Sequence, residues 1–573
     1  MGFAHLHCHT EYSLLDGSIR IKDLFSRLKE LGMESIAITE HGNLLSFVNK
    51  YQAAKDAGIK LIFGVETYLV DDIEYRAKDQ KRYHLVLLAK DAQGFENLKR
   101  LVSISYRPEN FYYKPRLTKE IIRGYSQGLI GLSACLSGEI PSAILNGKDA
   151  VSIAKQYKDI FGEDFYIEIM RSGIPEQDEV NPELMRIAEE QDVKCVATCD
   201  AHYLRKEDAK AHEIMLCIQT KSTMSDPNHM CFDSDGFYLK SEEEMRKDYA
   251  DVPDLIDNTL EVADKCNVDL ELGTPIFPEF PLPEGKTDEA YLRELCAQGL
   301  EDKYAGRPEY ETANERMEYE LSVILKMGFA KYFLIVHDFI AAGKKLCQVG
   351  PGRGSAAGSL VSYILGITQL EPMSLGLLFE RFLNPDRISL PDIDCDFSDR
   401  DIMLDYITKK YGGEKVALIG TVGTMQAKAV IKDVARAMDI PFSISNEITK
   451  HIQEKTIEAS LEATDDRNAP KYPELQAYKE KYPELFEIAM KLEGTVRHTG
   501  VHACGVAWGP EPITHYTATI SKDGPVVIQL DMNEVEALGL VKFDFLGLET
   551  LNVIEKTLVF IGKATPWLEA LPL

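Results

Sequence analysis

The chain has 573 residues, a net charge of −28 and 45% hydrophobic residues. That length predicts several domains with ordinary apolar cores; no apolar run is long enough to span a membrane, and Met1-Gly-Phe-Ala-His lacks a basic, apolar leader. Eleven scattered cysteines without paired zinc-ribbon spacing fit a reducing cytoplasm with mostly free thiols, and the acidic balance opposes nucleic-acid binding unless basic residues are concentrated locally.

Short apolar, β-branched runs recur at 3–7, 35–39, 60–69, 84–89, 129–133, 165–169 and 194–198, and helical patterns such as 21–31 and 182–191 separate several of them. Strands alternating with helices predict a parallel sheet, and seven predict a closed barrel. Around these runs lie His5-Leu-His-Cys-His-Thr10, Ser13-Leu-Leu-Asp-Gly17, Ile38-Thr-Glu-His-Gly42, Gly64-Val-Glu66, Tyr83-His84, Ser133-Ala-Cys-Leu-Ser137 and Cys199-Asp-Ala-His202. Most of these groups follow a strand, where barrel enzymes gather catalytic residues; His84 instead opens its run. A single histidine is usually a satisfied core or surface residue. Eight of the thirteen histidines precede residue 230, however, and the mixed nitrogen, oxygen and sulfur donors suit zinc or manganese better than a purely Mg²⁺ site.

Four prolines in 273–285 block helix and most sheet pairing, so this stretch reads as an extended linker after the barrel. The pattern over 288–370 is largely helical. Within it, Val349-Gly-Pro-Gly-Arg-Gly-Ser-Ala-Ala-Gly-Ser-Leu360 is a glycine-rich loop in which Ser355 is positioned to cap a helix. A helix N-terminus with Arg353 beside it attracts phosphate, although an isolated loop of this kind is usually a plain turn.

Asp394 and Asp396 in Leu390-Pro-Asp-Ile-Asp-Cys-Asp-Phe397 alternate with apolar residues, as does Asp544 in Leu540-Val-Lys-Phe-Asp-Phe-Leu-Gly547. On neighbouring strands the three carboxylates would converge and repel unless cations neutralised them. Two Mg²⁺ ions would do so, as in two-metal phosphoryl transfer. Lys428, Lys432 and Arg436 fall at i, i+4 and i+8. They form one basic helical face suited to a DNA backbone, or an ordinary solvated face. The stretch 433–494 is mostly helical and charged, and 494–548 returns to strand patterns.

Five of these segments together resemble a known family: Gly350-Pro-Gly-Arg-Gly-Ser-Ala-Ala-Gly-Ser359, Leu378-Phe-Glu-Arg-Phe-Leu-Asn-Pro385, Pro391-Asp-Ile-Asp-Cys-Asp396, Gly500-Val-His-Ala503 and Val541-Lys-Phe-Asp-Phe-Leu-Gly547. In this order they resemble the palm of the bacterial C-family replicative DNA polymerase, the polymerase III alpha subunit. The amino-terminal third resembles the polymerase and histidinol phosphatase (PHP) domain of the same proteins. The resemblance implies an α/β multidomain fold: a PHP-type (β/α)7 barrel over 1–273, a linker over 274–287, a palm over 288–432 and 495–573, and a helical thumb inserted over 433–494.

It makes Asp394, Asp396 and Asp544 the catalytic carboxylates. Arg353, Gly354, Ser355 and Lys542 become nucleotide contacts, and Lys428, Lys432 and Arg436 thumb contacts to DNA. It also maps the PHP metal positions onto His7, His9, Asp16, His41, Glu66, His84, Cys135, Asp200 and His202, for up to three Zn²⁺ or Mn²⁺ ions. Glu40 departs from the family pattern, in which Asp is more usual before the motif histidine.

The implied function is DNA-templated DNA synthesis, with a 3′–5′ exonuclease in the PHP domain, in the bacterial cytoplasm. The implied partners are primer-template DNA, deoxynucleoside triphosphates and replisome proteins. The family's fingers and clamp-binding region are not among these residues, so the sequence reads as a truncated or split polymerase that has lost sliding-clamp and clamp-loader contacts. The alternatives are a stand-alone metal-dependent phosphoesterase or a non-catalytic replication scaffold.

Overall fold

The computed structural model describes residues 2–384, 391–465, 469–521 and 524–562. Pro385 and Leu390, at the edges of two motifs above, lie outside these ranges. The chain forms two compact units: Met1–Leu270 with Thr421–Gly500 and Tyr516–Gly524, and Glu271–Gly420 with Val501–His515 and Pro525–Leu573. Among the described residues no helix is long and apolar enough to cross a membrane, and all eleven cysteines are free.

In the first unit β1 (Ser35–His41), β2 (Lys60–Leu69), β3 (Tyr83–Ala89), β4 (Leu129–Leu132), β5 (Phe165–Met170) and β6 (Lys194–Thr198) form one sheet in sequence order. The seventh expected strand, 3–7, is not a regular strand. It makes isolated bridges instead, and the segment 5–9 reaches both edges of the sheet: Ala37 N–H donates to His5 O (2.7 Å) and His9 N–H to Ala201 O (2.8 Å). The amino-terminal segment thereby closes the curled sheet. Leu6, Ile62, Val86, Leu88, Ile130, Leu132 and Val196 fill its interior with no more than 1% exposure.

The sheet is not wholly parallel. β3 runs antiparallel to both β2 and β4. The connection 70–82 carries no helix, so nothing imposes the crossover that a parallel neighbour requires. This reversal accounts for His84: the first residues of β3 lie beside the last residues of β2, Tyr68 and Leu69.

The helix Ala427–Ala437 carries an apolar stripe of Val430, Ile431, Val434 and Ala435, all fully buried. The stripe packs with Ile214, Met215 and Ile218 of the helix Ala209–Thr220. Residues 421–500, whose larger part the sequence reads as an insertion into the palm, therefore fold as one body with the barrel. The short strand β10 (Thr519–Ile520) ends in this unit as well.

The second unit has three long helices, Asp288–Tyr304, Tyr310–Lys326 and Ala330–Leu346. Its strands are β7 (Cys395–Phe397), the part of β8 (Val416–Thr424) up to Gly420, the part of β9 (Val496–Trp508) from Val501, β11 (Val527–Ile528) and β12 (Lys542–Gly547), in the order β11-β8-β9-β12-β7. β12 pairs parallel with β7 and antiparallel with β9. Phe543, between them, stacks on Trp508 at 4.4 Å and on Tyr332 at 5.3 Å. The proline-rich stretch is extended but tethered: Gly273 N–H donates to Ala537 O at 2.8 Å and Ile276 bridges Leu540.

The glycine-rich loop differs from expectation at its cap. Residues Gly354–Gly358 form a 3-10 turn, and Ser359, not Ser355, caps the following helix Leu360–Ile364. The anion at that N-terminus is the protein's own. Glu320, fully buried, accepts from Leu360 N–H (3.0 Å), Val361 N–H (3.0 Å) and Ser359 Oγ (2.8 Å), with Arg316 Nε at 3.0 Å. Burial raises its carboxyl above the ordinary range despite these donors. Glu320→Gln keeps the shape but aims an amide N–H₂ at donors. It should lower the stability of this unit by about 2–4 kcal/mol, read as a lower urea midpoint.

Candidate metal centre and candidate polymerase site

At the rim of the barrel the nine expected ligands form one connected net. Glu66, buried within β2, is its hub: Oε1 lies 2.8 Å from His84 Nδ1 and 3.3 Å from His7 Nε2, and Oε2 lies 2.7 Å from His41 Nδ1 and 3.7 Å from His9 Nε2. Asp200 Oδ1 stands 3.2 Å from His7 Nε2, 3.3 Å from His9 Nε2 and 3.6 Å from His202 Nδ1. Asp16 approaches His41 (3.1 Å) and His202 (4.0 Å), and Cys135 Sγ is 3.7 Å from His84 Nδ1. Asp200 holds φ at +51°, a left-handed conformation that costs a non-glycine residue energy and recurs at functional sites.

The donors are preset for cations. His7 Nδ1 is 2.9 Å from Glu168 and His9 Nδ1 is 3.0 Å from Ser13 Oγ, so both Nε2 atoms face the net. Burial, then the neighbouring His41 and His202, lower His9 to about 3, keeping its imidazole neutral as a ligand must be. Burial opposes but does not prevent the lowering of Glu66, whose largest favourable influence is His84. The residues pass a test of fit: Asp16 Oδ1, Glu66 Oε2, Asp200 Oδ1 and His41 Nδ1 are buried, and their close neighbours are other donors of the net, placed without good hydrogen-bond geometry. Three groups, His9–His41–His202, His7–His9–Glu66 and Glu66–His84–Cys135, each keep their donor atoms within 4.8 Å.

Glu168 was not apparent as a site residue from the sequence. It is buried in β5, pairs with His7, and accepts from Ala134 N–H (2.8 Å) and Thr198 Oγ1 (2.7 Å). Its signal was a lone carboxylate inside the apolar run Phe-Tyr-Ile-Glu-Ile-Met. Glu168→Gln should weaken metal binding about 10- to 100-fold without removing a ligand, measured by chelator competition. Glu40, the departure from the family pattern, is buried against Lys50 (2.8 Å) and accepts from Thr10 N–H (3.0 Å) and Ser13 Oγ (2.6 Å). It fixes the loop that holds Ser13 on His9.

In the second unit, Asp392, Asp394 and Asp544 bring one oxygen each within 4.8 Å of the others. Burial, then Asp392 and Asp544, raise Asp394 above the usual carboxylate range. Lys542 Nζ lies 2.9 Å from Asp544 Oδ2 and 3.2 Å from Asp392 Oδ1. Asp396, in β7, faces the glycine-rich loop: Arg353 Nη2 is 3.1 Å from its Oδ1, and Gly350 N–H donates to its backbone carbonyl at 2.9 Å. A Cβ on Gly350 would come within 2.8 Å of the Asp396 side chain, so that glycine is required. Arg353, Gly354 and Ser355 are exposed. Asp544 Oδ1 is buried without a hydrogen bond, and Asp396 Oδ1 has the Arg353 ion pair in place of one, so the donor set fits hard cations. Asp392 was missed although it continues the same two-residue period in Pro-Asp-Ile-Asp-Cys-Asp.

Of the three basic residues on Ala427–Ala437, Lys428 is exposed and Lys432 is half-buried, 5.4 Å from the Phe442 ring centroid. Arg436 turns inward, and its Nη1 donates to Ser222 O at 2.8 Å. The helix packs on Ala209–Thr220, which brings that carbonyl within reach of the guanidinium.

The description "Bacterial DNA polymerase III alpha NTPase domain" matches residues 290–547, and "PHP domain" matches residues 5–172. The DNA polymerase III subunit alpha of Borreliella burgdorferi is 44% identical over 98% of this chain and 50% of its own length. That of Thermus aquaticus is 43% identical over 97% of this chain and 51% of its own, and that of Campylobacter jejuni 41% over 98% and 50%. The chain thus spans about half the length of the curated relatives it matches. With both matched domains in order and this similarity running along nearly all of its residues, the chain belongs to the family of bacterial DNA polymerase III alpha subunits.

Proposed function

We propose that the chain carries two phosphoryl-transfer sites of a replicative DNA polymerase in the bacterial cytoplasm: nucleotidyl transfer to a primer 3′ end in the second unit, and 3′–5′ exonucleolytic hydrolysis at the barrel rim. The observation that carries this reading is the pair of carboxylate-rich centres with buried, unsatisfied oxygens, one with hard oxygen donors alone and one with nitrogen, oxygen and sulfur donors. Asp394, Asp396 and Asp544, with Asp392 in reach, would hold two Mg²⁺ ions; the nine rim residues would hold up to three Zn²⁺ or Mn²⁺ ions. Bound there, such cations neutralise charge on the attacking and leaving oxygens and make water acidic enough to be a nucleophile.

The chain's own groups do the rest. Arg353 and the peptide N–H groups of Gly354 and Ser355 grip the triphosphate. Arg353 suits this by its planar fork, which lysine lacks. Lys542 sits between Asp392 and Asp544 and offsets their repulsion. Lys428 and Lys432 contact the duplex backbone without reading sequence, and Arg436, held on Ser222, supports that helix. At the rim, Glu168 and Ser13 orient His7 and His9. The partners of this reading are primer-template DNA, deoxynucleoside triphosphates and replisome proteins.

His9→Ala combined with Asp200→Asn tests the barrel. Bound metal and degradation of mismatched primer ends under Mn²⁺ or Zn²⁺ should disappear together, while primer extension by a polymerase of the family's full length should persist. Metal-loaded protein that degrades neither single-stranded nor mismatched ends leaves the rim a structural site.

A further inference from the structure

A second group of metal-type donors lies outside both centres. Glu213, on the helix Ala209–Thr220, and His229 and Cys231, on the following segment, bring one donor atom each within 4.8 Å of the others. Glu213 and Cys231 border a cavity of about 430 Å³ that His212, Phe232 and Asp233 also line. His229 Nδ1 lies 2.6 Å from Asp226 O, so that nitrogen carries a proton and donates. Its Nε2 lies 2.7 Å from Glu213 Oε1. An Nε2 lone pair would repel that carboxylate, so a positive charge must stand between them. A proton serves in this structure, and a divalent cation takes its place when the two atoms part to coordination spacing and Cys231 adds a thiolate. The backbone carbonyl that fixes the histidine tautomer is the usual second partner of a metal-bound imidazole.

The residue after Cys231 gives the group a consequence. Phe232 packs edge-on against His202, a ligand of the rim net, at 5.0 Å between ring centroids, and against His212 at 4.7 Å. Cys231 itself is exposed and His229 half-buried, so the donors are reachable from solvent.

We propose that Glu213, His229 and Cys231 form a further site for a thiophilic divalent cation such as Zn²⁺, with a water completing four-coordination, and that its occupation latches Phe232 against His202. The soft thiolate and imidazole select zinc-like ions over Mg²⁺. Binding displaces the proton of His229 and that of Cys231, so affinity rises with pH. The site stands on these three residues; only the effect of the latch rests on the rim being the active centre proposed above.

Co²⁺ is the probe. In a Cys135→Ser chain, which removes the rim thiolate, Co²⁺ should produce a near-ultraviolet thiolate-to-cobalt absorption that Cys231→Ser abolishes. Zinc content of the chain should fall by one ion per molecule on His229→Ala, with the rim ions retained. Zinc should also slow proteolytic cutting within 222–236 in the parent chain and not in His229→Ala. Absence of the band in Cys135→Ser, its survival in Cys135→Ser/Cys231→Ser, or equal zinc content in His229→Ala and parent overturns the proposal.

Discussion

Asp394→Asn should lower primer extension by at least about 10³-fold, the several kcal/mol that metal-held charge contributes to phosphoryl transfer. In the metal-free protein the same change should raise the melting temperature by about 1–2 °C. The two effects share one cause. Asp394 is held above the usual carboxylate range first by burial and then by Asp392 and Asp544, so the metal-free site is repulsive and removing one charge relieves it. Extension is measured in a polymerase of the family's full length, and Mn²⁺ binding to this chain by electron paramagnetic resonance. Wild-type extension in the variant would remove Asp394 from the catalytic set; lost extension with a lowered melting temperature would mean damage to the fold instead.

Glu66→Gln should have the largest effect at the barrel rim. Glu66 is the residue that approaches four ligand histidines, His7, His9, His41 and His84, within 3.7 Å, and it belongs to two of the three candidate donor groups there. An amide offers one weaker acceptor in place of two charged oxygens and points its N–H₂ at imidazoles. Bound metal should fall by at least two ions per chain, and primer-end degradation by at least about 10²-fold, the scale of losing a metal that activates water. Extension should be unaffected. Retained metal with full degradation would show that Glu66 bridges nothing.

Much of this was legible in the sequence because ligands cluster where strands end. The six regular strands fall within a residue or two of the apolar runs, since a buried strand must be apolar and β-branched to pack on both faces. The nine rim positions came from the resemblance to the PHP domain; the pattern alone showed that donors such as His41 and Asp200 end or follow apolar runs, where packing does not explain them. What the sequence concealed depends on contacts distant along the chain. The reversal of β3 is a property of pairing, which local pattern does not encode. Arg436 reads as a free cation until Ser222, more than two hundred residues earlier, supplies a carbonyl. Asp392 was hidden differently. It sits in plain view, but alternation says which residues share a face, not which of them a cluster uses.

The position of Glu320 bears on turnover. A helix N-terminus beside a glycine-rich loop normally offers its free peptide groups to a phosphate; here two of them already belong to a buried carboxylate. What remains for the proposed triphosphate is the exposed guanidinium of Arg353, paired with Asp396, and the exposed turn at Gly354 and Ser355. If Arg353 and this turn hold the triphosphate as proposed, the grip would be a loose one. On the function proposed above, the buried carboxylate would therefore favour quick release of product over tight binding of substrate at this loop.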